Sequence, residues 1–242
     1  MAEKIVAIHQ PNFLPWLGYF AKMASSDVFV VMDNAQFPKK GGSWSNRVKL
    51  SVAGEPTWVT VPIVRAYHGV RAVREMEIDE NSPWRPKLLK TIRMNYAKAP
   101  YIKDVFPLLE EIISFPSRNL SEFNLFGIRR LANALGMDSS KLVLGSDLGV
   151  GGAATDLLIN MVTAAGGSTY LCGGGASGYQ DDNAFSHAGI HLQYQSFVHP
   201  EYRQGSGEAF QPGLSIADAL LWCGIERTAG LVTVPTPATR GN

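Results

Sequence analysis

The sequence predicts an α/β fold: a mainly parallel, Rossmann-like sheet with an inserted helical block and a β-hairpin. Three observations point to it. Ile5-Val6-Ala7-Ile8 and Val28-Phe29-Val30-Val31-Met32 are short apolar, β-branched runs separated by a helical stretch, Phe20 to Ser25, which together make a βαβ unit. A second strand–helix–strand unit spans Lys141 to Cys172, and Arg47 to Val64 reads as two strands about a turn. Both parallel units place polar or glycine-rich residues just past their strand ends, where sheets of this kind bind ligands.

Taken in order, the first strand breaks at His9 into a loop braced by Pro11 and Pro15, and the second strand ends on Asp33. A polar loop with Phe37, Lys39, Lys40, Trp44 and Arg47 leads into the hairpin, Arg47–Val52 and Thr57–Val64 about Ala53-Gly54-Glu55-Pro56. A further strand is expected over Val73–Ile78. Ser82-Pro83 opens a helix to Tyr96, Pro100 another to Phe115, and Asn119 a third that Gly136 stops. These three helices form an insertion or cap over residues 81–136. The strand Lys141–Gly145, the helix Ala154–Ala165 closed by Gly166-Gly167, and the strands Thr169–Cys172 and His191–Phe197 follow. Ser215 to Asp218 is a capping box opening a helix to Trp222. A single domain over residues 1–230 is therefore expected, with a flexible Thr-, Pro- and Gly-rich tail over 231–242.

Composition narrows the function classes. A formal net charge of +1 gives no basic field for nucleic acid. No apolar run reaches the roughly eighteen residues that would span a bilayer, and the N-terminus leads into a strand rather than a secretory segment. Cys172 and Cys223 are too far apart for a metal-type spacing and read as reduced, buried residues, and a cytoplasmic location is the default expectation. No metal is expected, because His187 and His191 do not share a helix face.

The candidate site gathers at the strand ends. His9 is either a base or phosphate donor, or a structural histidine tying the loop to the sheet. Gln10 and Asn12 stand beside it, and Asp33 ends the neighbouring strand, so the imidazole and the carboxylate are expected to share one crevice. Trp16 and Tyr19 offer stacking surfaces, or fill the core. Arg47 presents a planar fork for phosphate or carboxylate. Gly173-x-Gly175-x-x-Gly178 has dinucleotide-fingerprint spacing but no following helix, and with Tyr170, Ser177 and Tyr179 it reads as a substrate-facing loop.

The string Ile8-His9-Gln10-Pro11-Asn12-Phe13-Leu14-Pro15-Trp16-Leu17-Gly18-Tyr19 resembles the WbqC-like family. So do Asp33-x-x-Gln36-Phe37, Trp44-x-Asn46-Arg47, Trp58-x-Thr60-Val61-Pro62, Asn95-Tyr96, Tyr170-Leu171-x-Gly173, Tyr179 and Phe210-x-Pro212-x-Leu214-Ser215-Ile216-x-Asp218. Cys172 departs from the serine expected there, and the tail after Gly230 lies outside the pattern. The resemblance implies a companion of cell-surface polysaccharide, O-antigen and lipopolysaccharide biosynthesis. It adds Gln36, Trp44, Asn46, Ser215 and Asp218 to the candidate substrate-binding residues.

On that basis the expected activity is a transferase that moves an acyl or aminoacyl group onto an activated, nucleotide-linked sugar or its amine. His9 and Asp33 would be catalytic, and the donor is either a small molecule or carrier-protein-bound. No cofactor is evident. One alternative is a nucleotidyltransferase-like ligase using Mg-ATP, although the usual second histidine of such loops is replaced by Trp16. The other is a non-catalytic sugar-nucleotide-binding scaffold.

Overall fold

Residues 3–174, 180–205 and 209–233 are described by a computed structural model of the chain. Its centre is strand β1 (Ile5–His9), whose Ala7 packs on one side of the sheet while Val6 and Ile8 pack on the other. That alternation follows from the period-two geometry of a strand, and burial on both faces explains why the run is apolar throughout. Helix α1 (Leu17–Ala24) crosses over to β2 (Val28–Val31), which pairs parallel to β1 from Val6–Val28 to His9–Val31. Beyond it lies β5 (Leu142–Leu144), and on the opposite side of β1 lie β6 (Thr169–Gly173) and then β7 (His191–Gln195). All four pairings are parallel.

The chain thus starts in the middle, steps outward through β2 and β5, and returns to fill the other half through β6 and β7. The order reverses between β1 and β6, which makes that junction the topological switch point of the sheet. The ladder there is the shortest on β1. It ends at Ala7–Leu171, whereas β1–β2 continues to His9–Val31 and β6–β7 to Gly173–Gln195. The carboxyl ends of the two central strands are therefore unpaired with each other, and a cleft opens between them.

Between β2 and β5 the chain inserts the hairpin β3 (Arg47–Val52) and β4 (Glu55–Thr60), then helices α2 (Trp84–Asn95), α3 (Ile102–Ser114) and α4 (Leu120–Ala134). The hairpin turn is Ala53-Gly54, with φ of 52° and 84°. Two positive-φ residues are what a tight two-residue hairpin needs, so the turn is shorter than the four-residue one expected. Asn119 opens α4 by accepting from the Glu122 N–H at 3.0 Å, and Gly136 follows its end at φ 72°. Leu50, Ile92, Leu109, Phe123 and Leu131 join Phe20, Met23 and Phe29 in one apolar cluster, so the helical block shares the core of the sheet's α1 face. The other face is covered by α5 (Ala154–Ala164) and α6 (Asp182–His187), through Met161, Val162 and Phe185.

Helix α6 has no counterpart among the elements expected from the sequence, and other elements also differ from expectation. Residues 73–78 form a 3₁₀ turn at Val73–Glu75 rather than a strand. Their N–H groups are claimed one at a time by the loop below, Val73 by Ala35 O and Arg74 by Asp33 O, each at 2.9 Å. After α7 (Ile216–Cys223) a last helix, α8 (Ile225–Thr233), occupies the start of the stretch expected to be a tail, because Val232 finds a place in the core. At α7 only half of the capping box forms. Ser215 Oγ accepts from Ala217 N–H, while the Asp218 carboxylate points into a buried network instead. No helix among the described residues is long and apolar enough to cross a membrane.

Candidate functional site

A cavity of about 620 Å³ lies beyond the carboxyl ends of β1 and β6. His9, Gln10 and Asn12 contribute from the end of β1, Trp16 and Lys22 from the α1 segment, and Tyr170 and Gly173 from β6. Trp44, Gln195 and Phe197 close the rim.

The loop after β1 is held rigidly. Phe13 N–H donates to Trp44 O at 2.8 Å, and Asn124 Nδ2 donates to both Pro11 O and Ser45 O at 2.9 and 2.6 Å. Ser215 Oγ donates to Leu14 O at 2.8 Å, and Ile216 N–H donates to Pro15 O at 2.8 Å. Leu14 sits at φ 38°, a left-handed conformation that a branched residue keeps only when its surroundings enforce it. Three stretches distant in sequence, 11–16, 44–46 and 214–216, are thereby locked into one shell. This explains why Trp44, Asn46 and Ser215 accompany the first motif. Of these only Trp44 reaches the cavity. The Asn46 amide is spent on Val61 O and Ser43 N–H, and Ser215 is a buried brace.

Two polar groups in the wall have no adequate partner. Asn12 is 2% exposed, and neither atom of its amide is hydrogen-bonded among the described residues. Lys22 is also 2% exposed; its ammonium donates to Ile8 O at 2.8 Å and pairs with no carboxylate among the described residues. Burying an ammionium-type charge without a counterion is costly, and burial lowers its pKa to about 8. A cavity lined by an amide without a partner and a cation without a carboxylate, among the described residues, can offer hydrogen bonds and charge to a polar, anionic group.

His9 is half-buried beside them. Burial first, and then the Lys22 charge, bring its pKa down to about 3, so the ring is neutral at physiological pH. Its Nδ1 lies 3.2 Å from Gln10 O. A carbonyl only accepts, so Nδ1 carries the proton and Nε2 keeps a free lone pair. The folded-state pKa lies below the unfolded value, so the unfolded chain binds the extra proton between about pH 6.5 and 3. The stability contributed by this group is lost as pH falls through that window.

Other expected site residues fall elsewhere. Asp33 lies two residues beyond the end of β2, in a turn rather than at the strand's last position, and its carboxylate accepts from Ser146 N–H and Oγ at 2.9 and 2.7 Å and forms no part of the cavity wall. The reason is local: the turn after β5 presents a free N–H and hydroxyl to the carboxylate. Tyr19 is fully buried and packs edge-on behind the His9 ring, with centroids 4.8 Å apart, so it supports the imidazole rather than facing a ligand. Gln36 is exposed, bridging Ala72. Arg47 lies over Trp58 and lines a separate hollow. Asp218 is fully buried, accepting from Tyr96 Oη, Tyr202 Oη and Gln204 Nε2 at 2.9, 2.7 and 2.9 Å. Ser177 and Tyr179 lie outside the described residues.

Lys22, Asn124 and Gln195 were not expected from the sequence. The signal for Lys22 is a lone cation on an otherwise apolar helix, Leu17-Gly18-Tyr19-Phe20-Ala21-Lys22-Met23. The glycine in that helix has a steric cause. A Cβ on Gly18 would lie 2.1 Å from the Trp16 ring, which is itself wedged against Phe197 and His199. Gly18→Ala is expected to displace the indole, cost about 1–3 kcal/mol in denaturant unfolding and change tryptophan fluorescence.

The chain matches the WbqC-like protein family over residues 10–229. It is also 31% identical over 229 residues to the "Uncharacterized protein Rv1507c" of Mycobacterium tuberculosis, a match covering 92% of this chain and 95% of that one. No solved structure matches it. With the opening motif, its bracing segments and the match across nearly the whole chain in agreement, the protein belongs to the WbqC-like protein family.

Proposed function

We propose that the protein is a transferase acting on an activated, nucleotide-linked sugar or its amine, moving an acyl or aminoacyl group during cell-surface polysaccharide or O-antigen assembly. The observation that carries this reading is that the Lys22 ammonium, without a carboxylate among the described residues, and the Asn12 amide, unpartnered among them, line one cavity at the switch point of a parallel sheet. A phosphate of the substrate neutralises Lys22, the Asn12 amide takes polar groups of the sugar, and Trp16 and Trp44 flank its rings. Asp33 is a positioning residue that ties the end of β2 to the turn after β5.

His9 supplies the base. A ring held near pKa 3 is a poor one, but the Lys22 charge is part of what holds it there. Burial, the larger cause, remains, but a bound anion cancels the Lys22 charge and raises the basicity of Nε2 part of the way when substrate is present. Nε2 then accepts the proton of the sugar amine as its nitrogen attacks the donor's acyl carbon and the leaving group departs with the bonding pair. His9→Ala is expected to fold and bind the sugar nucleotide but to lose turnover by about a hundredfold or more. Turnover at the wild-type rate removes the base assignment. Because anion binding needs the Lys22 ammonium, kcat/KM is expected to fall as pH rises through about 8. A profile flat to pH 10 contradicts it.

A further inference from the structure

A second hollow, of about 400 Å³, shares no wall residue with the first cavity. Gly41, Gly42, Thr60, Arg47 and Arg65 are among its lining residues. Each of its two guanidinium groups is fixed in place without being neutralised. Arg65 donates from Nη1 to Lys39 O at 2.8 Å and from Nη2 to Gly41 O, so carbonyls of the preceding loop hold its plane. Arg47 has its guanidinium carbon 4.4 Å from the centre of the Trp58 ring. Its stem lies on Gly42, where a Cβ would come within 2.7 Å of Arg47 Cδ. The glycine thus makes room for the arginine, and the indole supports it.

Neither arginine pairs with a carboxylate among the described residues, and the same holds for neighbouring Lys39, Lys40 and Lys49. The hollow's lining holds two arginines and no carboxylate residue. Arginines serving only solubility are ordinarily free to move, whereas ordering two of them side by side costs entropy and mutual repulsion. An anion offsets both. Arg47 makes no side-chain hydrogen bond among the described residues, so its fork of N–H donors faces the hollow without a partner from them. With the donors Arg65 retains, that exceeds what one carboxylate accepts and suits the many oxygens of a phosphoryl group.

We propose that this hollow is a second anion site that binds a phosphoryl group through Arg47 and Arg65. It stands independently of the transferase reading, since it rests on residues outside the cavity. The group is either a remote phosphate of the cavity's own ligand or belongs to a separate phosphate-bearing molecule.

The test uses inorganic pyrophosphate, titrated calorimetrically into full-length protein carrying Lys22→Gln, which silences the first cavity. Binding is expected to persist in that background and to weaken by about tenfold or more when Arg47→Gln is added. Arg65→Lys, which keeps the charge but loses the fork, gives a second variant should removal of Arg65 disturb the loop it holds; it is expected to weaken binding as well. Unchanged affinity in both variants overturns the site, as does loss of all pyrophosphate binding on Lys22→Gln alone. Titrating a nucleoside-diphosphate sugar into the single variant Arg47→Gln then separates the two sources. Weakened binding assigns the phosphate to the cavity ligand, and unchanged binding, with pyrophosphate still lost, assigns it to a second molecule.

Discussion

Replacing Lys22 with Met is expected to lower affinity for a nucleoside-diphosphate sugar by about a hundredfold while leaving the free protein at least as stable as wild type. The two effects come from one cause. The ammonium is buried, holds a single hydrogen bond to Ile8 O, and has no carboxylate partner among the described residues. In the empty protein its charge is a liability, and a methionine of similar length removes it. The loss of a donor to Ile8 O works in the other direction and is smaller. With ligand bound, the same charge is the main attraction. The pH dependence has a definite sign. The folded pKa, about 8, lies below the model-peptide value of 10.5, so between these values the unfolded chain binds the extra proton. Stability of the free protein therefore rises with pH across that window, while ligand affinity falls. Lys22→Met abolishes both trends. Calorimetric titration and urea unfolding at several pH values measure them; a variant that binds normally, or unfolds much more readily, contradicts the assignment.

Asp218→Ala is expected to destabilise the protein by about 3 kcal/mol and to leave the cavity's ligand affinity nearly unchanged in the molecules that remain folded. The carboxylate joins elements far apart in sequence. Tyr96 from the end of α2 donates to it while accepting from Ser51 N–H of β3, and Tyr202 and Gln204 donate from the loop after β7. Truncation strands these donors in the interior. Burial raises the Asp218 pKa, and the hydrogen bonds from Tyr202, Tyr96 and Gln204 pull it partly back. Because the folded pKa lies above the unfolded one, stability from this group is full at acid pH and declines as pH rises through the folded value. The gap between wild type and variant should accordingly be widest in acid, near the ordinary carboxylate range, and narrow as pH rises from there, as read by denaturant midpoint. A loss of binding without a loss of stability would instead make Asp218 a ligand group.

Much of the fold was legible because it rests on local patterns. The β-branched runs at 5–8 and 28–32 became adjacent parallel strands, and the two strand–helix–strand units built a sheet whose reversal sits beside His9. The 3₁₀ turn at 73–75 was not legible, since its backbone partners are Ala35 and Asp33, far away along the chain. Nor was the helix reaching Thr233, which depends on core space for Val232.

The site divides along the same line. His9, Gln10, Asn12, Trp16, Trp44, Tyr170 and Gly173 do meet around one cavity. Strand ends indicate where side chains emerge, but not which way a carboxylate turns, and Asp33 turned to Ser146. Asn46 and Ser215 brace the shell that holds the loop, and Asp218 ties Tyr96 to Tyr202 and Gln204, roles that residue type alone does not distinguish from ligand contact. Lys22 escaped notice because a helical lysine is ordinarily solvated. Only the early end of the β1–β6 ladder leaves Ile8 O and the cavity within its reach.

The most direct measurement is a crystal structure of the protein soaked with a nucleoside-diphosphate sugar. The expected density places an anionic group within hydrogen-bond distance of Lys22 Nζ and a polar group of the ligand on the Asn12 amide, between the ends of β1 and β6. A ligand bound elsewhere, with Lys22 and Asn12 still unengaged at saturating concentration, would contradict the central claim.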